Sequence, residues 1–181
     1  MRRRPDIELV PLVREGSSEA AEALFDRYWR HAWKAAYAVT ADRTLADDAA
    51  QEAMERAFRA LERFDETRPF GPWLKRITVN RAIDLLRRRG RHEVSTDVED
   101  TLQGWAVGDA PEDDLRLWAV TDAVSALGEG KRLVVVLHYW LDLPLDEIAG
   151  ILGLPVGTVA SRLARAKAEL RDALEEADRV V

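Results

Sequence analysis

Apolar side chains recur three and four positions apart along almost the whole chain, and strand-like alternation is nearly absent. A chain patterned this way buries its apolar side by packing helix on helix. The clearest stripe, Ala50, Met54, Ala57, Leu61 and Phe64, predicts a helix from Thr44 to about Phe64. Thr44 and Asp47 fit a capping box at its start. An earlier helix opens at Ser17-Ser18, with Glu19 and Glu22 near its positive end. Leu24, Phe25, Tyr28, Trp29, Ala32, Ala36 and Val39 share one side of it, up to about Thr40. A short element from Asp6 to Glu15 comes first, stopped by Gly16, and Pro11 predicts a break or kink within it. Another helix runs from Phe70 to Gly90, with Pro72 in its first turn and Phe70, Trp73, Leu74 and Ile77 turned inward.

From 92 to 112 the periodicity disappears. The stretch is acidic, holds Gly104, Gly108 and Pro111, and offers only scattered apolar residues such as Leu102 and Trp105. Helical spacing then returns over Asp113–Leu127, Lys131–Leu141, Leu145–Leu152 and Thr158 to about Ala177. The expected fold is all-α: two small helical domains, 1–91 and 113–181, joined by a flexible acidic linker at 92–112.

Composition removes several function classes. The 181 residues contain no cysteine, which excludes disulfides, thiol nucleophiles and thiolate metal sites. His31, His92 and His138 are too scattered to suggest a metal centre. Glu112, Asp113 and Asp114 are consecutive at a helix start, so they point in different directions and read as favourable charge there. No enzyme is expected, and no cofactor. The apolar run Leu133–Leu137 is far too short to span a bilayer, and no apolar segment follows Arg2-Arg3-Arg4. A cytoplasmic protein without membrane insertion is therefore expected.

The net charge of -6 argues against nucleic acid only until its placement is read. Residues 1–92 carry 19 basic and 15 acidic side chains, whereas residues 93–130 carry 1 basic and 10 acidic. Between Arg68 and Arg91 there are eight basic residues against the single Asp84. A local field of that density binds phosphate whatever the total.

Two segments carry the nucleic-acid signal. Leu145 to Lys167 reads as a helix-turn-helix: two helical turns, Gly153 where a left-handed residue is needed, then a longer helix. Ala149 is small where the helices approach, and Val159, Leu163, Ala166, Leu170 and Leu174 face inward. The outer face presents Thr158, Ser161, Arg162 and Arg165, with Lys167 on its flank, a set suited to a major groove. The second segment is the helix from Phe70. Lys75, Arg76, Asn80, Arg87 and Arg88 lie off its apolar stripe, with Arg81, Arg89 and Arg91 adding charge. Phe64, Phe70 and Trp73 stand beside the preceding loop; aromatics interleaved with cations suit unpaired bases, although Trp73 reads as core and Phe70 fits either role.

Three stretches in this order carry a resemblance: Ala46–Phe58, Arg68–Arg89 and Asp146–Ala166. With them the chain, over roughly 9–91 and 113–175, resembles the group IV, extracytoplasmic-function sigma factors of bacterial RNA polymerase. The resemblance implies that Asp47, Asp48, Gln51, Glu52 and Glu55 dock on the beta-prime clamp helices of core polymerase, and that the C-terminal domain meets the beta flap. It implies that the loop Phe64–Gly71, Lys75, Arg76, Asn80, Arg87 and Arg88 open the minus-ten promoter element and hold a flipped base. The helix-turn-helix would read the minus-thirty-five element as duplex DNA. An anti-sigma partner is implied as well. Ala160 departs from the usual basic or polar residue before Ser161, and Ala164 is likewise small, so the promoter sequence does not carry over. The alternative is a conventional helix-turn-helix regulator, which needs neither the Asp47–Glu55 face nor the Arg68–Arg91 segment.

Overall fold

The computed structural model describes residues 1, 3–92 and 112–180, and every regular element among them is helical. The elements are α1 (Asp6–Arg14), α2 (Ser18–Thr40), α3 (Arg43–Ala60), α4 (Phe70–His92), α5 (Glu112–Ser125), α6 (Glu129–Val135), α7 (Leu145–Leu152) and α8 (Val156–Val180). A 3-10 turn, Leu61–Arg63, follows α3, and a π turn, Val136–Trp140, continues α6. The expected linker, with Leu102 and Trp105, falls outside the described residues between His92 and Glu112.

In the N-terminal half α2, α3 and α4 pack on one another and α1 lies on α2. The stripe Ala50, Met54, Ala57, Leu61 and Phe64 is buried throughout. Ser17 caps α2 by accepting the Ala20 N–H at 3.3 Å, and the helix stops where Ala41 turns left-handed at φ 51°. That turn also moves the start of α3. Its cap is Asp42, two residues before Thr44, because the extended Asp42 is first to face the free N–H groups and accepts Leu45 N–H at 3.0 Å. Phe25 is another departure: it stays 39% exposed, stacked on Trp29.

Pro11 sits inside α1 without ending it. A proline there costs about 3 kcal/mol. Leu9 and Val10 offset it by being fully buried, at about 1.5–3 kcal/mol each.

In the C-terminal half α5, α6 and α7 each pack against α8. Val134, Leu137, Ile148, Val159 and Ala166 form its centre. α8 begins at Val156, two residues before the expected Thr158, because the Thr158 and Val159 N–H groups both find the Pro155 carbonyl.

The two halves also pack on each other. α5 and α6 lie on α2, and one buried cluster runs from Ala36, Val39, Val79, Ala82 and Ile83 into Val124, Val134 and Leu137. α4 is thus buried along two stripes. One faces α2 and α3 through Phe70 and Leu74, and the other, unexpected from the sequence, joins the shared cluster. The π turn completes the contact by setting the Trp140 ring 5.8 Å from the Lys75 ammonium on α4. Among the described residues no single helix is long and apolar enough to cross a membrane.

Candidate nucleic-acid and polymerase interfaces

The loop from Phe64 to Phe70 is held at three points. Asp65 closes a turn by accepting the Thr67 N–H at 3.0 Å and the Thr67 hydroxyl at 2.7 Å, which holds its carboxyl below the usual range. Arg14, reaching over from α1, donates to the Leu61 carbonyl at 2.9 Å and the Phe64 carbonyl at 2.6 Å, and it pairs with Glu66. Sequence reasoning missed Arg14, since nothing local marks a residue whose partners lie some fifty positions away. At the other end, Gly71 passes so close to Tyr28 that a Cβ there would lie 3.1 Å from its ring. Tyr28 is itself fixed by its hydrogen bond to Asp6; burial and that bond both push its hydroxyl pKa up.

Between α1 and this loop opens a cavity of 310 Å³, lined by Ile7 and Val10 on one side and Phe64, Thr67, Arg68 and Phe70 on the other. Phe70, which fits either role in sequence, is 1% exposed; its ring packs among Tyr28, Phe64 and Trp73 and forms part of the cavity's inner wall.

On α4, Lys75, Arg76, Asn80, Arg87 and Arg88 are all exposed. Two of them already have partners in the C-terminal half: Lys75 on Trp140, and Arg87, which donates to the Ile151 carbonyl of α7 at 2.5 Å. Arg81 leaves the cationic surface altogether. It is 4% exposed, donates Nη2 to Glu52 at 2.6 Å, and has Nε and Nη1 without a partner among the described residues. Arg89 pairs with the cap residue Asp42 at 2.5 Å. Burial acts upward on that carboxyl, but the Leu45 N–H and Arg89 outweigh it and lower its pKa.

The polar face of α3 divides in two. Asp47, Asp48, Gln51 and Glu55 are exposed; Asp47 accepts the Trp33 ring N–H at 2.6 Å, and Glu55 pairs with Arg59 at 3.1 Å. Glu52 is half-buried, and its hydrogen bond to Arg81 lowers its pKa. Glu52 thus differs from its neighbours on this face, because α4 places a buried cation beside it.

α7 and α8 meet at 106° across Gly153, which takes φ 66° as its turn requires. Leu154 N–H donates to the Ala149 carbonyl at 3.0 Å and locks the corner. Arg165 and Lys167 are exposed, Thr158 and Ser161 are half-buried, and the Ser161 hydroxyl donates to the Thr158 carbonyl at 3.0 Å. Arg162 does not stand out beside Arg165. It is half-buried and folds over Gly130 of α6, where a Cβ would lie 2.7 Å from its Nη1.

Two helical domains, one with a cation-bearing helix beside an aromatic loop and one with a helix-turn-helix, define a sigma-70-type architecture. The family models agree: Sigma-70 region 2 matches residues 24–92, and Sigma-70, region 4 matches residues 117–170. The chain is 32% identical to the ECF RNA polymerase sigma factor SigW of Bacillus subtilis, covering 92% of this chain and 95% of that one. It is 36% identical to the ECF RNA polymerase sigma-E factor of Escherichia coli K12, covering 90% of each. Among solved structures it is similar to CnrH in complex with the cytosolic domain of CnrY, at a TM-score of 0.51 and 29% identity over 94% of this chain and 97% of that one. The sigma factor RpoE of Bartonella quintana, in complex with the anti-sigma factor NepR, shares the fold at a TM-score of 0.55 and 20% identity, over 85% and 96%. This chain belongs to the extracytoplasmic-function sigma factors of RNA polymerase, within the sigma-70 family.

Proposed function

We propose that the chain acts in the cytoplasm, bringing core RNA polymerase to promoters and reading them in two physical states. The N-terminal half takes the minus-ten element as separated strands. Lys75, Arg76, Asn80, Arg87 and Arg88 lie along the DNA backbone, and the cavity behind residues 64–70 takes an unstacked base. Unstacking costs a few kcal/mol per base, which requires both a pocket and a cationic wall. The observation that carries this reading is the exposed row of cations on α4 beside a 310 Å³ cavity with aromatic walls.

The C-terminal half reads the minus-thirty-five element as duplex through Thr158, Ser161, Arg165 and Lys167, with Arg162 joining them once it leaves Gly130. Asp47, Asp48, Gln51 and Glu55 dock on the beta-prime clamp helices, and the C-terminal half also meets the beta flap. The bond-making chemistry is the polymerase's, so no catalytic residue is assigned. An anti-sigma protein that holds the chain away from polymerase is the partner this family membership implies.

Transcription from duplex and premelted promoters with purified core polymerase tests the division of labour. Asn80→Ala is expected to lose activity on duplex and recover it on a bubble spanning the minus-ten region. Equal loss on both templates would assign Asn80 to base recognition or structure instead of melting.

A further inference from the structure

Residues 64–69 belong to no regular element, so what shapes them and what places them are separate questions. Shape is local. Asp65 accepts twice from Thr67, and the Arg68 N–H reaches the Asp65 carbonyl at 3.0 Å. Placement comes from α1, and from both of its ends. At the C-terminal end Arg14 donates Nε to the Leu61 carbonyl at 2.9 Å and Nη2 to the Phe64 carbonyl at 2.6 Å, while Nη1 pairs with Glu66. Leu61 opens the 3-10 turn that leads into the loop, and Phe64 follows it. At the N-terminal end Asp6 accepts from the Tyr28 hydroxyl and pairs with Arg27. The Tyr28 ring in turn lies against Gly71, where the loop enters α4. Nine helical residues span about 12 Å from first to last. α1 thus runs beside the loop as a brace fixed at both ends.

The middle of that brace is the opposite wall of the cavity. Ile7 and Val10 face Phe64 and Phe70 across 310 Å³. Val10 is buried, but Ile7 is 64% exposed at the cavity's edge. A flat ring entering there would be covered by aromatics on one side and by a branched aliphatic on the other. The Leu61 and Phe64 contacts are only part-buried, so water can replace the guanidinium at little net cost. Arg14 therefore governs where the loop stands more than whether the chain folds.

We propose that α1 is part of the base-holding site: Arg14 is a positioning residue that sets the width of the cavity, and Ile7 contacts a face of the unstacked base. The inference rests on the base-holding reading of residues 64–70. It adds that the grip on one promoter base is controlled from a helix outside the loop.

The test uses the full-length chain with core RNA polymerase, binding premelted promoter bubbles. Each minus-ten nucleotide, on either strand, is replaced in turn by an abasic one, which removes the base and keeps the phosphate. The wild type is expected to lose about tenfold in affinity at one position, the one whose base is held. Arg14→Ala is expected to weaken the intact bubble about tenfold and the bubble abasic at that position less than about twofold, because the contact it serves is already gone. Arg14→Lys, which supplies folded protein should the alanine variant lose its helicity, is expected to fall between wild type and alanine on the intact bubble. Ile7→Ala, at an exposed site, is expected to follow the same pattern with a loss of about threefold. Equal penalties on intact and abasic bubbles would overturn the proposal, since a merely structural role acts on both alike. Unchanged binding of the intact bubble by folded Arg14 and Ile7 variants would overturn it as well. A wild type indifferent to abasic replacement at every minus-ten position would overturn the base-holding reading itself, and the role of α1 with it.

Discussion

α4 and α8 both present cations on an exposed side, yet they are anchored in opposite ways. α8 is an amphipathic helix with a single buried stripe, Val159, Leu163 and Ala166, and its Arg165 and Lys167 stand in solvent. α4 is gripped on two sides, by Phe70 and Leu74 toward α2 and α3, and by Val79, Ala82 and Ile83 toward the cluster shared with the C-terminal half. A helix anchored on one side offers its outer face to any duplex it meets. One gripped on two sides has only a narrow strip left, and part of that strip is engaged by its own chain. The asymmetry teaches that the helix proposed to read duplex has free access, whereas the helix proposed to hold separated strands has restricted access.

The largest effect expected is on the stripe that belongs to the N-terminal half alone. Leu74→Ala is expected to lower unfolding stability by about 3 kcal/mol in urea titrations, the ordinary cost of emptying a core leucine site. Ile83→Ala, on the shared stripe, is expected to cost less globally and to raise the radius of gyration instead. Identical behaviour of the two variants would erase the distinction between the stripes.

Next comes the pair beneath the α3 face proposed to dock polymerase. Glu52→Lys strands the buried Arg81 and is expected to cost about 2 kcal/mol, less than a fully buried pair because the Glu52 side chain is 40% exposed. Asp48→Lys, on the exposed part of the face, is expected to leave thermal stability unchanged while abolishing core-polymerase binding in a pull-down. Glu52 and Asp42 both have carboxyl pKa values lowered by folding, from 4.5 and 3.8. Their contribution is thus complete above about pH 5 and is lost as pH falls through the lowered values. Acid titration of the Glu52→Gln variant should show a shallower loss over that window than wild type.

Arg165→Ala probes the open helix. It is expected to weaken binding to minus-thirty-five duplex about tenfold. A phosphate contact would also lower the salt slope by about one, whereas a base contact would cost about 1–3 kcal/mol and relax preference at one base pair. The smallest effect is expected from Gly130→Ala. The Arg162 guanidinium must move, but it is the far end of a flexible side chain, and alanine is the better helix former by about 1 kcal/mol. A slight rise in melting temperature with Arg162 freed toward DNA is the expected result, read as unchanged or tighter duplex binding.

Local pattern was legible in the sequence, and long-range partnership was not. The α3 stripe, the Ser17 cap and the Gly153 turn all follow from spacing and residue chemistry within a few positions. Val79, Ala82 and Ile83 were equally visible as apolar residues, but which body they would meet depends on a segment fifty positions later. Arg81 and Arg132 defeated the expectation that charges stay in water, since their partners are Glu52 on another helix and carbonyls at two helix ends. Phe70 fitted either role in sequence, and the ring cluster with Tyr28, Phe64 and Trp73 settled it inward.

The π turn at Val136–Trp140 has a consequence for how the chain tolerates changes of length. A π turn is an α-helical path with one surplus residue wound into it. Deleting any one of its five residues would let the path relax to ordinary winding, and because four α-helical residues at about 100° each turn the chain about as far as five in a π turn, everything beyond would keep its heading. Replacements within this stretch alter one side chain each, and a single-codon deletion would remove the surplus winding while the helix-turn-helix stays mounted at nearly the same angle on the rest of the molecule.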